Sequence, residues 1–544
     1  MISQESTYYI SRGDCNNNIN TTTLKHTQTQ SPSKKKMLNP LVPFSPTCID
    51  QKPPKTTTTT TTTTVPTPSP SNILKEAKAI SDVSVPMIIT SLILYLRSLI
   101  SLMFLGHLGP LPLAGGALAV GFANITGYSV LSGLASGMEP ICAQSHGAHR
   151  FKQLGLALQR ATLLLLLASL PISLLWLNMH HILLLCGQDP AIAAAARSYI
   201  LASLPDLAAN SLLHPLRIYL RTQSITMPLA YCAALAVLLH VPITYLLVTV
   251  LSLGVPGVAA AAVITNLNLV LCILAYVARS GAYKKTWGGF SSKSLTNWGP
   301  LLNLAVPSCV SVCLEWWWYE IMILLCGLLA NPRATVGSMG ILIQTTSLIY
   351  IFPSSLSMGV SARVGNQLGA GRPQGARTAA VLGLCASLLA GIAALAFAVS
   401  VRNVWAGMFT GDAEIAALTA AVLPVIGLCE LGNCPQTTGY GVLRGTARPR
   451  MGAGINVGCF YLVGMPVAVG LCFYLGYDFK GLWMGLLAAQ ASCAAAMLVV
   501  VMRTDWDEEA SRAKELTGKA DHESDGLISS SDDIKMMILR LEIE

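Results

Sequence analysis

The chain has 544 residues, of which 53% are hydrophobic and only 11% charged. Soluble domains carry about 25% charged residues, so this composition excludes an ordinary soluble enzyme and points to a chain that lives in a bilayer. The net charge of +9 is spread mainly over short loops, which argues against a nucleic-acid surface.

Residues 1–73 are polar and of low complexity, including an unbroken threonine run at Thr56–Thr64. Such a segment cannot bury enough apolar surface to fold. It also lacks the apolar core of a cleaved signal peptide, so the first span is expected to act as its own insertion signal. From there on, apolar stretches recur at the ~20-residue length that a helix needs to cross a bilayer. Twelve spans are expected, near 80–105, 112–138, 153–178, 192–219, 227–252, 256–279, 301–329, 334–361, 376–402, 415–442, 452–475 and 481–503. Residues 504–544 return to a polar, at first acidic, composition and close on "IKMMILRLEIE". Both tails are expected to be disordered or loosely helical. The domain plan is a cytoplasmic N-terminal tail (1–73), an N-terminal six-helix bundle (74–290), a C-terminal six-helix bundle (291–503) and a cytoplasmic C-terminal tail (504–544).

The loops set the expected orientation. Basic residues such as Arg150, Lys152, Arg221, Lys284, Lys285, Arg372, Arg444 and Arg450 fall on one side, whereas Arg333, Arg402 and Lys480 are the few near helix ends on the other. Cytoplasmic loops collect Lys and Arg, which makes both termini cytoplasmic. The two halves also match. Val85-Pro86 returns as Val306-Pro307, "GAHR" at 147–150 as "GAGR" at 369–372, Leu204-Pro205 as Leu423-Pro424 and Leu220-Arg221 as Leu443-Arg444. Pro242 returns as Pro466 and Gly257 as Gly481. Repeats of six spans face the same way and are related by an axis along the membrane normal. The expected fold is an all-α membrane protein: twelve transmembrane helices in two six-helix bundles related by a pseudo-twofold axis, with a cleft between them. Alternating access is the activity natural to that design.

Several charges fall inside the spans. Glu315 of "CLEWWWYE" (313–320) lies midway along span seven, where a charge costs roughly 2.5–3.5 kcal/mol and marks a functional site by default. A carboxyl that holds or releases a proton there would be a coupling group; the alternative is a structural hydrogen bond between helices. Trp318 and Tyr319 lie on its helical face and are expected to wall its site. Glu320 points elsewhere, into an interhelical contact or toward the cavity from another angle. Glu430 lies midway along span ten, with Asn433, Cys434 and Thr437 at helical spacing on one polar face. In the first half, Arg97 and Asp206 are expected to neutralise each other as a structural pair, with Asn210 one turn beyond Asp206. Glu139 reads as a contact at the end of span two. The fifteen cysteines form no CxxC pair, so neither a zinc site nor a disulfide framework is indicated.

"CLEWWWYE", "ARVGNQLGAGR" (362–372), "GVLRG" (441–445) and "SGLASGMEPICAQSHGA" (132–148) together resemble the signatures of the multidrug and toxic compound extrusion (MATE) family. The run from Phe104 to Cys142 is similar to its plant detoxification-type branch. The resemblance covers about residues 74–503. It implies export of organic solutes, in plant members usually by exchange for protons, and it places the family's second-half acid at Glu315 and its neighbour at Glu320. Where relatives carry an acid in span ten this chain has Asn433, and Glu430, one turn earlier, is the suggested substitute. Ser101 lies near the place of a first-span acid of bacterial members, and Gln344 near a span-eight acid of some animal ones.

The resulting expectation is a secondary active transporter, not an enzyme, exporting organic solutes in exchange for protons. Its proton-coupling residues would be Glu315 and Glu430. Its cavity residues would be Trp318, Tyr319, Asn433, Thr437 and Glu320. No cofactor or metal is expected beyond the proton gradient, and the partners are a small organic solute and the lipid bilayer, with the monomer as functional unit. The membrane would be an endomembrane (vacuole, Golgi or late endosome) or the plasma membrane. The alternatives are a facilitative organic-anion exporter or channel, and a membrane-anchored trafficking or interaction protein.

Overall fold

A computed structural model describes residues 70–289 and 292–518 of the chain. The expectations for residues 1–69 and 519–544 lie outside that range. Among the described residues twelve long helices follow one another: α1 (Pro70–His107), α2 (Pro110–Gly147), α3 (Phe151–Leu177), α4 (Pro190–Thr222), α5 (Met227–Val250), α6 (Val255–Ser280), α7 (Gly299–Cys326), α8 (Pro332–Gly369), α9 (Pro373–Val401), α10 (Ala413–Gly445), α11 (Pro449–Tyr474) and α12 (Asp478–Met502). All but α4 are long and apolar enough to cross a membrane. The polarity of α4 is concentrated in one stripe: Asp206, Asn210, His214, Arg217 and Arg221 recur at intervals of three and four residues, which puts them on one face of a helix.

The duplication read from the sequence is built into the backbone. α4 and α10 each start on an aspartate cap. Asp189 accepts from Ala191 N at 2.8 Å and Ile192 N at 3.1 Å, and Asp412 accepts from Glu414 N at 2.9 Å and Ile415 N at 3.4 Å. Each such cap is worth about 1 kcal/mol. α5 and α11 each end in a widened π turn, at Leu246–Val250 and Gly470–Tyr474. Both turns begin four residues after a helix proline, Pro242 or Pro466, where the ring removes a hydrogen-bond donor and crowds the preceding turn. Left-handed residues recur in pairs as well: His149 with Gly371, Ser224 with Ala447, Ser252 with Gly476 and Gly254 with Asp478. Side-chain-bearing residues seldom adopt that conformation, so the matching pairs show that loop shape repeats along with helix order.

The two bundles interlock at the end that carries Pro70 and Met502, here called the tail end. Lipid is as apolar as a leucine side chain, so helices in a bilayer associate by close packing, and small residues let their backbones approach. A methyl group on Gly147 would lie 2.0 Å from the Asn366 carbonyl oxygen, and one on Gly369 would lie 2.0 Å from the Gln144 carbonyl oxygen. The same residues bond reciprocally. Gln144 Nε2 donates to Gly445 O at 2.9 Å, and Asn366 Nδ2 donates to Thr222 O at 3.3 Å. Arg363 of α8 also grips Glu76 of α1 with two bonds of 2.7 and 2.8 Å.

A further helix, α13, spans 506–518 and packs beneath the tail end. Trp506, Ala510 and Ala513 are buried in one apolar cluster with Val360, Val364 and Leu368 of α8. Glu509 meets Arg448 at 3.3 Å, and Gln153 of the first half donates to Thr517 O at 2.9 Å, so α13 touches both bundles. Burial pushes the Glu509 carboxyl up from its ordinary range, opposed by Arg448 and Arg512 beside it; the same burial lowers the Arg448 guanidinium.

Candidate functional site

Glu315 sits near the middle of α7 and keeps part of its surface accessible, as does Tyr319 one turn on. Glu430 on α10 is 1% exposed. Glu315 acts electrostatically on Glu430, Tyr319, Tyr350 of α8 and Arg444 at the end of α10, and Tyr350 also feels Glu430 and Arg444. The second half therefore gathers two carboxyls, two phenols and one guanidinium into one interior cluster. From Glu430 a ladder of hydrogen bonds descends α10. Asn433 Nδ2 donates to Glu430 Oε2 at 2.9 Å, and Thr437 Oγ1 donates to Asn433 Oδ1 at 3.3 Å. Ser357 Oγ of α8 donates to Thr437 O at 2.6 Å and accepts from Arg444 at 2.9 Å.

Three cavity residues differ from expectation. Trp318 does not wall the Glu315 site. It is fully buried and packs edge-on against Phe460 and Tyr461 of α11, with ring centroids 5.5 and 6.2 Å away. Three residues turn a helix by about 300°, which carries Trp318 past the cavity face and onto the neighbouring helix. Asn433 and Thr437 are likewise buried, and their polar atoms serve the ladder below Glu430. Glu320 faces the first half beside Gly121 of α2.

The first half holds its charges differently. Arg97 and Asp206 do not pair directly; Asn266 of α6 stands between them. Asn266 Nδ2 donates to Asp206 Oδ1 at 2.7 Å, while its Oδ1 accepts from Arg97 at 2.8 Å. Tyr128 of α2 donates to the other Asp206 oxygen at 2.7 Å. Asn210 uses its side chain to cap the Asp206 carbonyl at 2.9 Å. Near this cluster His240 of α5 is fully buried, 2.8 Å from Thr265 Oγ1 and 3.1 Å from Ser101 Oγ. The expected pair was incomplete because Asn266 and Tyr128 come from separate helices with no sequence link to Asp206.

Between the halves, at the tail end, Glu139 is more than a helix-end contact. It is fully buried and receives Arg221 at 2.9 Å and Arg444 at 3.5 Å. Those two arginines are the repeat-related residues of "LR" in α4 and α10, so one glutamate ties together the matching ends of both bundles. Arg444 belongs both to this lock and to the ladder from Glu430. The shared "LR" offset was the signal that could have found the lock.

Comparison with known proteins agrees with this architecture. The family model described as MatE matches residues 86–246 and 307–469, one block in each half. Protein DETOXIFICATION 49 of Arabidopsis thaliana is 64% identical over 455 residues, covering 83% of this chain and 91% of that protein. Protein DETOXIFICATION 48 of the same plant is 59% identical over 455 residues, covering 84% and 86%. The crystal structure of the eukaryotic MATE transporter AtDTX14 superimposes with a TM-score of 0.79 at 31% identity, over 82% of this chain and all of that one.

Proposed function

The chain belongs to the MatE family of membrane transporters, and from that premise we propose that it exports an organic solute in exchange for protons. Alternating access between the two bundles moves the solute. Glu315 and Glu430 carry the proton, and Tyr319 borders their site. The observation that supports this reading is the convergence of both mid-membrane carboxyls on one space in the second half, with a bonded ladder running from Glu430 to Arg444.

The ladder suggests how the proton is felt at a distance. Charge on Glu315 sets the direct pull on Arg444, and Glu430 reaches Arg444 through Glu315 and the bonded ladder. Arg444 divides its interactions between Ser357 and Glu139, and Glu139 holds the tail end closed. Neutralising the acids from the far side of the membrane frees Arg444 to bind Glu139 and keeps the tail end shut while solute leaves. Once the protonated, emptied carrier has turned to the cytoplasm, deprotonation restores the acids' competition for Arg444 and keeps the lock loose for the next solute. In this reading both termini are cytoplasmic, the monomer is the working unit, and the host membrane is an endomembrane or the plasma membrane. Solute uptake into sealed vesicles, with and without an imposed pH gradient, tests it. Uptake that rises with the gradient and reverses with its sign is expected. Uptake indifferent to the gradient would leave a facilitative pathway in its place.

A further inference from the structure

The basic stripe on α4 has no counterpart in the coupling scheme. From Asn210 to Thr222 the helix is buried on all sides except at Leu212, His214 and Arg217. Leu212 points away from the other two, whereas His214 and Arg217 share the face of Asp206 and Arg221. Both of those neighbours are 5% exposed, so the stripe faces inward, and the surface left on His214 and Arg217 opens into an interior space rather than into lipid.

Among the described residues no carboxylate pairs with Arg217, and the charged groups nearest to it are Arg97 and Arg221. His214 in turn neighbours Arg217 and Arg221. At the lock Arg221 and Arg444 share the carboxylate of Glu139 and Arg444 also feels Glu315, which leaves Arg217 as the guanidinium of this group with no acid acting on it. Part of the donor capacity here is unspent: Nε of Arg221 and Nε of Arg444 are buried without a hydrogen-bond partner. A buried cation without a counter-charge is strongly disfavoured inside a membrane protein, and guanidinium groups match carboxylates in shape and in number of donors. The second half places Tyr440 and Arg444 where the first places Arg217 and Arg221, and Tyr440 is likewise one of the few positions on that stretch of α10 with accessible surface. The Tyr440 ring carries the Arg444 guanidinium carbon over it at 5.3 Å, which puts an aromatic ring beside the basic groups.

We propose that the transported solute carries an anionic group, a carboxylate on an aromatic or otherwise flat body, and that Arg217 with His214 receives that group on the first-half wall of the cavity. This deepens the transport reading above and rests on it.

The test uses the full chain in lipid nanodiscs at one fixed pH, so that no gradient enters and a failure of proton coupling leaves the result untouched. The probes are 2-naphthoate and 2-naphthylmethylammonium, which share a ring system and differ in charge. The wild type is expected to bind naphthoate more tightly. Arg217→Gln should weaken naphthoate about tenfold, the loss of one charge-assisted contact, without weakening the ammonium probe. Arg217→Lys should retain most of the affinity. Arg217→Tyr, which copies the second half's residue, should behave like the glutamine variant and guards against a folding defect peculiar to that change. Tighter binding of the ammonium probe by the wild type would overturn the proposal. So would naphthoate affinity within about twofold of wild type in both Arg217→Gln and Arg217→Tyr. Saturable chloride binding with no naphthoate binding would reassign the basic stripe to an inorganic anion and overturn the solute class.

Discussion

The two halves share a frame and differ in charge. The aspartate caps of α4 and α10, the widened turns that end α5 and α11, the left-handed loop residues and the cross-bundle bonds recur at matching positions, yet the interior polar sites are opposites. In the first half the one mid-membrane carboxylate, Asp206, is bonded on both oxygens by Tyr128 and Asn266, and the remaining stripe is basic. In the second half Glu430 has a single bonded oxygen, shared by Asn433 and Cys434, and Glu315 retains accessible surface. A carboxylate fixed on both oxygens is a structural element, whereas one with free capacity beside an open space can exchange a proton. Duplication supplied the frame twice, and the inward faces of the two copies diverged in charge.

The shared frame gives the largest predicted effect. Gly147→Val and Gly369→Val should each abolish transport, because each side chain would meet a carbonyl of the opposite bundle and stop the tail end from closing. Gly454→Val is the control, since nothing lies within 4 Å of a methyl there. Vesicle uptake normalised to inserted protein is the measurement, and a large difference between the two interface variants would break the symmetry on which the comparison rests.

Next comes the divergence in the first half. Asp206→Asn leaves Arg97 and the Asn266 relay without their anion, and removing one partner of a buried charge arrangement costs about 3–5 kcal/mol. Folded protein recovered from membranes should fall steeply, and Asn266→Leu should do the same by separating Arg97 from Asp206. A well-folded but transport-dead Asp206→Asn would move that residue into the coupling site and erase the contrast. In the second half, Glu430→Gln should leave the fold nearly intact and reduce pH-driven uptake. Adding Asn433→Asp should restore part of it, because the two positions are one turn apart and already bonded to each other. The smallest effect is expected from Glu320→Gln. That side chain lies about 140° around the helix from Glu315 and faces the opposite bundle, so uptake should stay within about twofold of wild type, a difference below 1 kcal/mol.

The architecture was largely legible in the sequence because its signals are one-dimensional: apolar length gives spans, and constant offsets give the repeat. The structure carries α1, α2 and α8 well past the expected tail-end limits, since polar residues extend these helices beyond the apolar stretch. What the sequence hid is three-dimensional. Asn266 between Arg97 and Asp206, Tyr350 beside Glu315 and the Arg221–Glu139–Arg444 lock all join residues from separate helices. Trp318 was misassigned because shared helical facing within one element does not say which neighbour that face meets. The basic stripe of α4 was readable in principle from its three- and four-residue spacing, but Arg217 and His214 gain their meaning only from the burial around them.

The central claim is that proton coupling resides in the second-half acids. Its most direct test is pH-driven uptake of one identified substrate into vesicles by Glu315→Gln, alongside substrate binding without a gradient. Glutamine keeps the size and hydrogen-bonding capacity of glutamate but cannot ionise, so insertion and binding should persist while the gradient-driven component disappears. Gradient-driven uptake at the wild-type rate by Glu315→Gln would contradict the account.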